Sequence, residues 1–209
     1  MRRRFEIFCG DIADCGCDVL VNASNTRLSL GGGVSKRIGE LCGGLDYQRA
    51  LREALAAHVG PERDDPTLLL GEALLTHAGE AAERFRGVVH VASVDYEAAH
   101  RGRVSGVAAS TSSSAIADGA ENALRRCQEL IDAEGLDTLS VGFPLLGSSA
   151  GKLSPSRSAD GLLTGMRRFF KDHLAETDEH SEVDRIVLVV YRDDDVRAVR
   201  DQLRRHRVI

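Results

Sequence analysis

The sequence predicts a single α/β domain, a three-layer α/β/α sandwich built on a mixed, mostly parallel central sheet. Three observations carry that reading. Short apolar runs alternate with longer stretches whose apolar residues recur at helical spacing, and glycine-rich turns separate the two kinds of segment. The chain has 209 residues, 43% hydrophobic and 28% charged, enough for one well-buried core and short for two. The expected domain is 1–209.

Taken in order, Phe5, Ile7 and Cys9 alternate as a first strand that ends at Gly10-Asp11-Ile12. Asp18 to Asn22 reads as a second, buried strand that delivers Asn22 and, just beyond it, Asn25. Gly31-Gly32-Gly33 opens a helix at Val34; Val34, Ile38 and Leu41 share a face, and Gly43-Gly44 supplies the stop. Leu45 to His58 is a second helix with Leu51, Ala54, Leu55 and His58 on one side, closed by Gly60-Pro61. Leu68 to Thr76 is an apolar strand-pair region bending at Gly71, and Val88 to Val94 is uninterrupted enough for a central strand.

Arg101 to Ser114 is a surface loop rich in Gly, Ser and Ala that ends in a helix N-cap. The helix after it sets Ile116, Ala120, Ala123, Leu124, Cys127, Leu130 and Ile131 on one face. Thr138 to Leu146 is a strand running into Gly147, Leu162, Leu163, Met166, Phe169 and Phe170 mark another helix, and Ile186 to Tyr191 is the last strand. Val196, Val199 and Leu203 define a final helix whose cations Arg200, Arg204, Arg205 and Arg207 sit near its negative end as a solvated face. Strands alternating with helices of this size predict a parallel or mixed sheet covered on both sides.

Composition excludes several classes. A net charge of -5 and a pI near 5.8 argue against a protein that coats nucleic acid, which needs a dense Lys/Arg face. The five cysteines are odd in number with no CxxC pair, pointing to a reducing compartment, and Cys9 and Cys127 read as small hydrophobes. Cys15-Gly-Cys17 is too narrow and too short of ligands for a zinc site, so no metal and no cofactor is expected. Arg2 to Arg4 are followed by too few apolar residues for a signal peptide, and no apolar run reaches a membrane-spanning length of about 18 residues. No membrane contact is expected, and a cytoplasmic location is.

The chemistry concentrates in two glycine loops. Three glycines before a helix allow close backbone approach to a ligand, and the helix N-terminus beyond them offers free N–H groups to an anion. Asn22 and Asn25 each carry a donor and an acceptor for ribose hydroxyls or for a backbone turn. Asp11, just past a strand, suits an exocyclic amine. The second loop, Gly147 to Gly151, is followed by Lys152, but it has three residues between its glycines and Leu153 after the lysine, so it fails the Walker pattern. Consecutive N–H groups in such a loop still form an anion-binding concavity without a lysine.

In this order, Gly10-Asp11-Ile12, Val21 to Asn25, Gly31 to Val34 and Phe143 to Gly151 resemble the macrodomain family, the ADP-ribose-binding α/β module; Gly71-Glu72-Ala73 and Val89-His90 also sit at family positions. The resemblance implies Asp11 for the adenine amine, Ile12 for a backbone contact, and Tyr191 beside the adenine. It implies Gly31, Gly32, Gly33 and Val34 with Gly147, Ser148, Ser149, Ala150 and Gly151 for the diphosphate, and Asn25 for the distal ribose. Ser149 replaces a family glycine, and Ser35 and Gly39 stand where the best-known hydrolytic members carry an aspartate and a histidine. The implied ligand is ADP-ribose or an ADP-ribosylated protein. The implied activity is removal of ADP-ribose from an ester-linked substrate by a water that Asn25 and the diphosphate position. A non-catalytic ADP-ribose reader and an ADP-ribose 1″-phosphate phosphatase are the alternatives. His77, His90 and His100 receive no role, and His90, among apolar strand residues, reads as a core histidine.

Overall fold

The computed structural model describes residues 4–62, 64–97, 109–176 and 182–208. Six strands, β1 (Arg4–Cys9), β2 (Val19–Asn25), β3 (Ala73–Thr76), β4 (Gly87–Val94), β5 (Thr138–Pro144) and β6 (Glu182–Val190), form one sheet in the order β1-β6-β5-β2-β4-β3. All neighbours are parallel except β3, which runs antiparallel to β4 at one edge. The helices are α1 (Gly33–Cys42), α2 (Gly44–Val59), α3 (Ser113–Glu134), α4 (Pro155–Glu176) and α5 (Asp193–Arg205).

Period-two alternation assigns the two faces. In β2, Val19 and Val21 join the cluster formed with Ile116, Leu124 and Ile131 of α3, Leu162 and Met166 of α4, and Val199 and Leu203 of α5. Leu20 points the other way, toward Ile38 and Cys42 of α1 and Tyr47 of α2. Farther along α2, Leu51 and Leu55 pack with Leu28, Leu68 and Leu74. The sheet is therefore covered on both faces, as the sequence predicts, and each large apolar side chain fully buried there contributes roughly 1.5–3 kcal/mol. None of the described helices is long and apolar enough to cross a membrane.

α3 and α4 approach closely because glycines remove the side chains between them. A Cβ on Gly165 would lie 1.9 Å from the Ala117 carbonyl oxygen, and one on Gly161 would lie 2.9 Å from that of Ser113. The N-cap expected at the end of the Ser-rich loop is Ser112, whose hydroxyl accepts from Ala115 N at 3.1 Å. Residues 98–108 of that loop region lie outside the described residues.

Three expectations are corrected. The second strand continues to Asn25, so both asparagines belong to β2. Leu68 to Leu70 form no strand: Gly71 at φ +88 breaks the extended backbone, Glu72 ties back to Leu69 N at 2.7 Å, and Leu68 is buried while Leu69 is 60% exposed. Cys9, read as an apolar-face residue, has an exposed thiol, whereas Cys15, Cys17, Cys42 and Cys127 are buried.

Candidate functional site

The five parallel strands end in a row, and a cleft of about 1270 Å³ runs along their C-terminal edge. Gly10, Asp11 and Ile12 follow β1 at one end, beside Val189 to Arg192 at the end of β6. Pro144 ends β5 in the middle, and Leu145 and Gly147 to Ala150 follow it. Asn25 ends β2 with Ser29 just beyond it, and Val94 ends β4 with Tyr96 just beyond it, at the far end. The start of α1 adds Gly31 to Ser35 and Arg37. Ligands of open α/β sheets occupy this position because the strand ends release loops and helix N-termini toward a common crevice.

The first loop is built for backbone contact. A Cβ at Gly31, Gly32 or Gly33 would meet nothing within 4 Å, so packing does not demand glycine there; the space belongs to the cleft. Gly33 is at φ +54, which does favour glycine. Gly31 N donates to Ser29 O at 3.1 Å, while the N–H groups of Gly32, Gly33 and Val34 have no backbone acceptor among the described residues. These lie at the positive end of α1.

The second loop is rigid for reasons the chain makes plain. Gly147, at φ +72, turns the chain off β5. Ser148 donates to Leu145 O from both its N (3.3 Å) and its Oγ (2.7 Å), Leu153 N donates to Gly147 O at 3.1 Å, and buried Ser158 Oγ on α4 donates to Leu146 O at 2.7 Å. That pinning leaves the N–H groups of Ser149 and Ala150 without a backbone acceptor among the described residues, and both residues line the cleft. Gly151 does not line it. A Cβ there would sit 2.4 Å from Thr111 Cγ2 and 2.7 Å from Gly147 O, so this glycine permits the fold-back of the loop.

At the β1 end, Asp11 Oδ1 accepts from Ala13 N at 2.9 Å, and Oδ2 accepts from Arg37 Nε at 2.6 Å. Each oxygen keeps a lone pair, and the carboxylate is held in one orientation. Ile12 is buried beneath it, and Tyr191, 85% exposed, stands at the same end of the cleft. At the β2 end, Asn25 Oδ1 accepts from Arg27 N (2.9 Å) and Ser29 N (3.2 Å), and its Nδ2 donates to Ser29 O at 3.4 Å. The Asn25 amide thus shapes the approach to the triple glycine and retains one Nδ2 hydrogen for anything in the cleft.

Asn22 is not on the cleft wall. It is fully buried on the α1 face of β2, where Nδ2 contacts Ser35 Oγ at 3.2 Å and His90 Nδ1 at 3.0 Å. His90 Nε2 lies 3.1 Å from Tyr47 OH and 3.0 Å from Thr76 Oγ1. Burial pushes the His90 pKa down to about 3, so the ring is neutral, and it is the core histidine that its sequence setting suggests.

Sequence reasoning missed Arg37, Tyr96 and Ser29. Arg37 had a signal: it lies three residues after Val34 on α1 and therefore shares the face that Gly33 and Val34 present. Tyr96, 41% exposed, had none, because its place depends on β4 ending beside β2, where Val94 pairs with Asn25.

A parallel α/β sheet with a cleft over its strand ends, edged by two loops of free backbone N–H groups, defines an α/β protein of the anion-cradling type. The Macro domain family model matches residues 21–162, and the chain belongs to that family. Its fold is similar to that of the Oceanobacillus iheyensis macrodomain, solved as a glycine-to-valine mutant with ADPR, at 22% identity over 98% of this chain and 94% of that one, TM-score 0.70. It is similar also to the Trypanosoma brucei macrodomain in complex with ADP-ribose (21% identity, 94% and 68% covered, TM-score 0.63). The macro domain of ganglioside induced differentiation associated protein 2 is a third neighbour (22% identity, 97% and 84% covered, TM-score 0.65). At these identities the likeness is one of fold. Comparison with curated proteins returns no match.

Proposed function

We propose that the cleft binds ADP-ribose, free or attached to protein. The observation that carries this reading is the pair of N–H loops, Gly32 to Val34 and Ser149 to Ala150, opening on one cleft between an aromatic end at Tyr191 and an amide end at Asn25. A diphosphate bridging two nucleoside-like halves matches that layout: adenine beside Tyr191 with its amine toward Asp11, phosphates on the loops, distal ribose near Asn25. Family membership supports it, as do neighbours of the same fold solved with ADP-ribose and with ADP.

Hydrolysis of an ADP-ribosyl ester is the activity this arrangement serves best. Water attacks the distal C1″, the bond from C1″ to the ester oxygen breaks, and the carboxylate leaves, while the water's proton passes to a diphosphate oxygen or to solvent. A carboxylate is a good leaving group, so positioning and backbone dipoles supply most of what is needed. His90 is buried away from the cleft and Asp11 is tied to Arg37, so neither is placed as a base. A second reading, binding without hydrolysis, is favoured by the Asn25 carbonyl being occupied by two backbone N–H groups.

Calorimetric titration tests the ligand: ADP-ribose should bind the wild type and bind Asp11→Ala at least about tenfold more weakly, the scale of a lost charge-assisted hydrogen bond. No binding to the wild type would defeat the reading. Release of ADP-ribose from an ADP-ribosylated glutamate peptide, compared with Asn25→Ala, tests hydrolysis. Equal rates in the two would leave the reader function in its place.

A further inference from the structure

The dithiol Cys15-Gly16-Cys17 has no part in the chemistry assigned so far, and it lies in the segment that leaves the cleft at Ile12 and enters β2 at Val19. Both cysteines are buried, and both sulfurs converge on one point: a Cβ on Gly142 of β5 would lie 2.8 Å from Cys15 Sγ and 3.6 Å from Cys17 Sγ. Gly16 between them is exposed, at φ +66, and a Cβ on it would meet nothing within 4 Å, so the pair lies just beneath the surface. The chain turns there, and residues two apart on a turned backbone fall within the Cα separation of about 4.4–6.8 Å that a disulfide accepts. Arg185 of β6 reaches over the segment: Nη1 donates to Gly16 O at 2.7 Å and lies 3.9 Å from Cys17 Sγ, and Nη2 lies 3.4 Å from Cys15 O. The Cys17 thiol, the Cys17 backbone N–H and the Arg185 charge all favour a thiolate at Cys15, which is held below the ordinary thiol range. Burial pushes Cys42 and Cys127 the other way, up to about 11 and about 12.

The two ends of the segment are not equally free. Cys17 runs into Asp18, whose N donates to Ser140 Oγ at 2.9 Å, whose O accepts from Arg86 N at 2.8 Å and whose Oδ2 accepts from Ser140 N at 2.8 Å. Cys15 closes the Ile12–Asp14 turn through one long bond, from its N to Ile12 O at 3.4 Å. Drawing the sulfurs together therefore moves Cys15, with Gly16 as the hinge. The movement passes to Ile12 and to Ala13, whose N–H holds Asp11 Oδ1 at 2.9 Å. We propose that Cys15 and Cys17 are a reversible disulfide site, closed by a hydroperoxide and opened by a dithiol, and that closure loosens the Asp11–Ile12 end of the cleft. Cys15 sulfur attacks one oxygen of hydrogen peroxide, the O–O bond breaks, and a sulfenic acid forms while the released hydroxide takes the proton Cys15 has given up. Cys17 sulfur then attacks the sulfenic sulfur, the S–S bond forms, the S–O bond breaks, and a second water leaves with the Cys17 proton. The two thiols lose two electrons, and the peroxide is reduced to two waters. The effect on the cleft rests on the ADP-ribose reading above, in which the Asp11–Ile12 end receives the adenine.

In Cys9→Ser, which removes the exposed thiol, trypsin releases one peptide, Phe5 to Arg27, that holds Cys15 and Cys17 and no other cysteine. After hydrogen peroxide and alkylation of the remaining thiols, mass spectrometry should find this peptide unalkylated and two hydrogens lighter, and alkylated at both sites once dithiothreitol has acted. Titration of ADP-ribose into the oxidised protein should show binding at least about fivefold weaker than into the reduced protein, the scale of one lost hydrogen bond, with dithiothreitol restoring it. Cys9→Ser/Cys15→Ser should keep its affinity in peroxide; if that variant does not fold, the dithiothreitol reversal in Cys9→Ser decides alone. A peptide that stays alkylated at both sites after peroxide, or that gains oxygen without an S–S bond, overturns the site. A disulfide that leaves ADP-ribose binding unchanged overturns its link to the cleft. Reduced protein that binds no ADP-ribose defeats the ligand reading and that link with it, and the disulfide is then judged by mass.

Discussion

Arg37, on α1, holds Asp11 by a direct ion pair, and the pair shows how little a site contact need matter to the fold. Both side chains are partly exposed, at 43% and 31%, so the ion pair contributes at most about 1 kcal/mol to stability. Arg37→Ala should therefore shift the thermal midpoint by only a few degrees, yet weaken ADP-ribose several-fold because Asp11 loses its orientation; titration and thermal melting of the one variant check both halves. His90 acts the other way. Its pKa falls from 6.5 in the unfolded chain to about 3 in the fold, so the unfolded state binds the extra proton between those values. The stability tied to a neutral His90 is present above pH 6.5 and is lost as pH falls toward 3, at up to about 1.4 kcal/mol per pH unit. Melting curves from pH 7 to pH 5 should show a falling midpoint, with a shallower fall in His90→Gln. Asp11, Asn25 and the glycines stood out in the sequence because motif order marks them. Asn22 was visible as a motif residue, but its inward direction follows from the β2 face it shares with Leu20.

Helices α3 and α4 carry the loop that holds Ser149 and Ala150, and their spacing is set by missing side chains. Ser158 on α4 binds Leu146 O, and a Cβ on Gly147 would lie 3.1 Å from Ile116 Cδ1 on α3. Gly165→Ala gains up to about 1 kcal/mol of helix propensity and forces a methyl onto the Ala117 carbonyl, an overpacking that costs about 1–3 kcal/mol. With a Cβ only 1.9 Å from that oxygen, the steric side should win, and the denaturation midpoint should fall. α3 and α4 were legible because long apolar faces with a period near 3.6 admit one reading. Leu68-Leu69-Leu70 was not, because three like residues carry no period, and the deciding facts, a Thr26 O acceptor for Leu68 N and the turn at Gly71, are tertiary.

The strand order places the ends of β1, β6, β5, β2 and β4 side by side, so residues 180 apart in sequence, Asp11 and Tyr191, meet at one end of one cleft. Such a ligand bridges parts of the chain that would otherwise unfold apart, and ADP-ribose at about 100 times its dissociation constant should add about 2.7 kcal/mol. For a protein of this size that is a rise of about 5–10 °C in thermal midpoint, and ribose 5-phosphate at the same concentration should produce much less. The layered fold was readable from alternation; the row of strand ends was not, since no local pattern states which strands are neighbours. Cys9 closes β1 directly before Gly10, which lines the cleft, and it is the exposed member of a set whose other four thiols are buried. A thiol-reactive, environment-sensitive fluorophore would therefore attach at a single place on the rim of the unmodified chain, and its emission would report occupancy of the cleft in real time without any engineered cysteine.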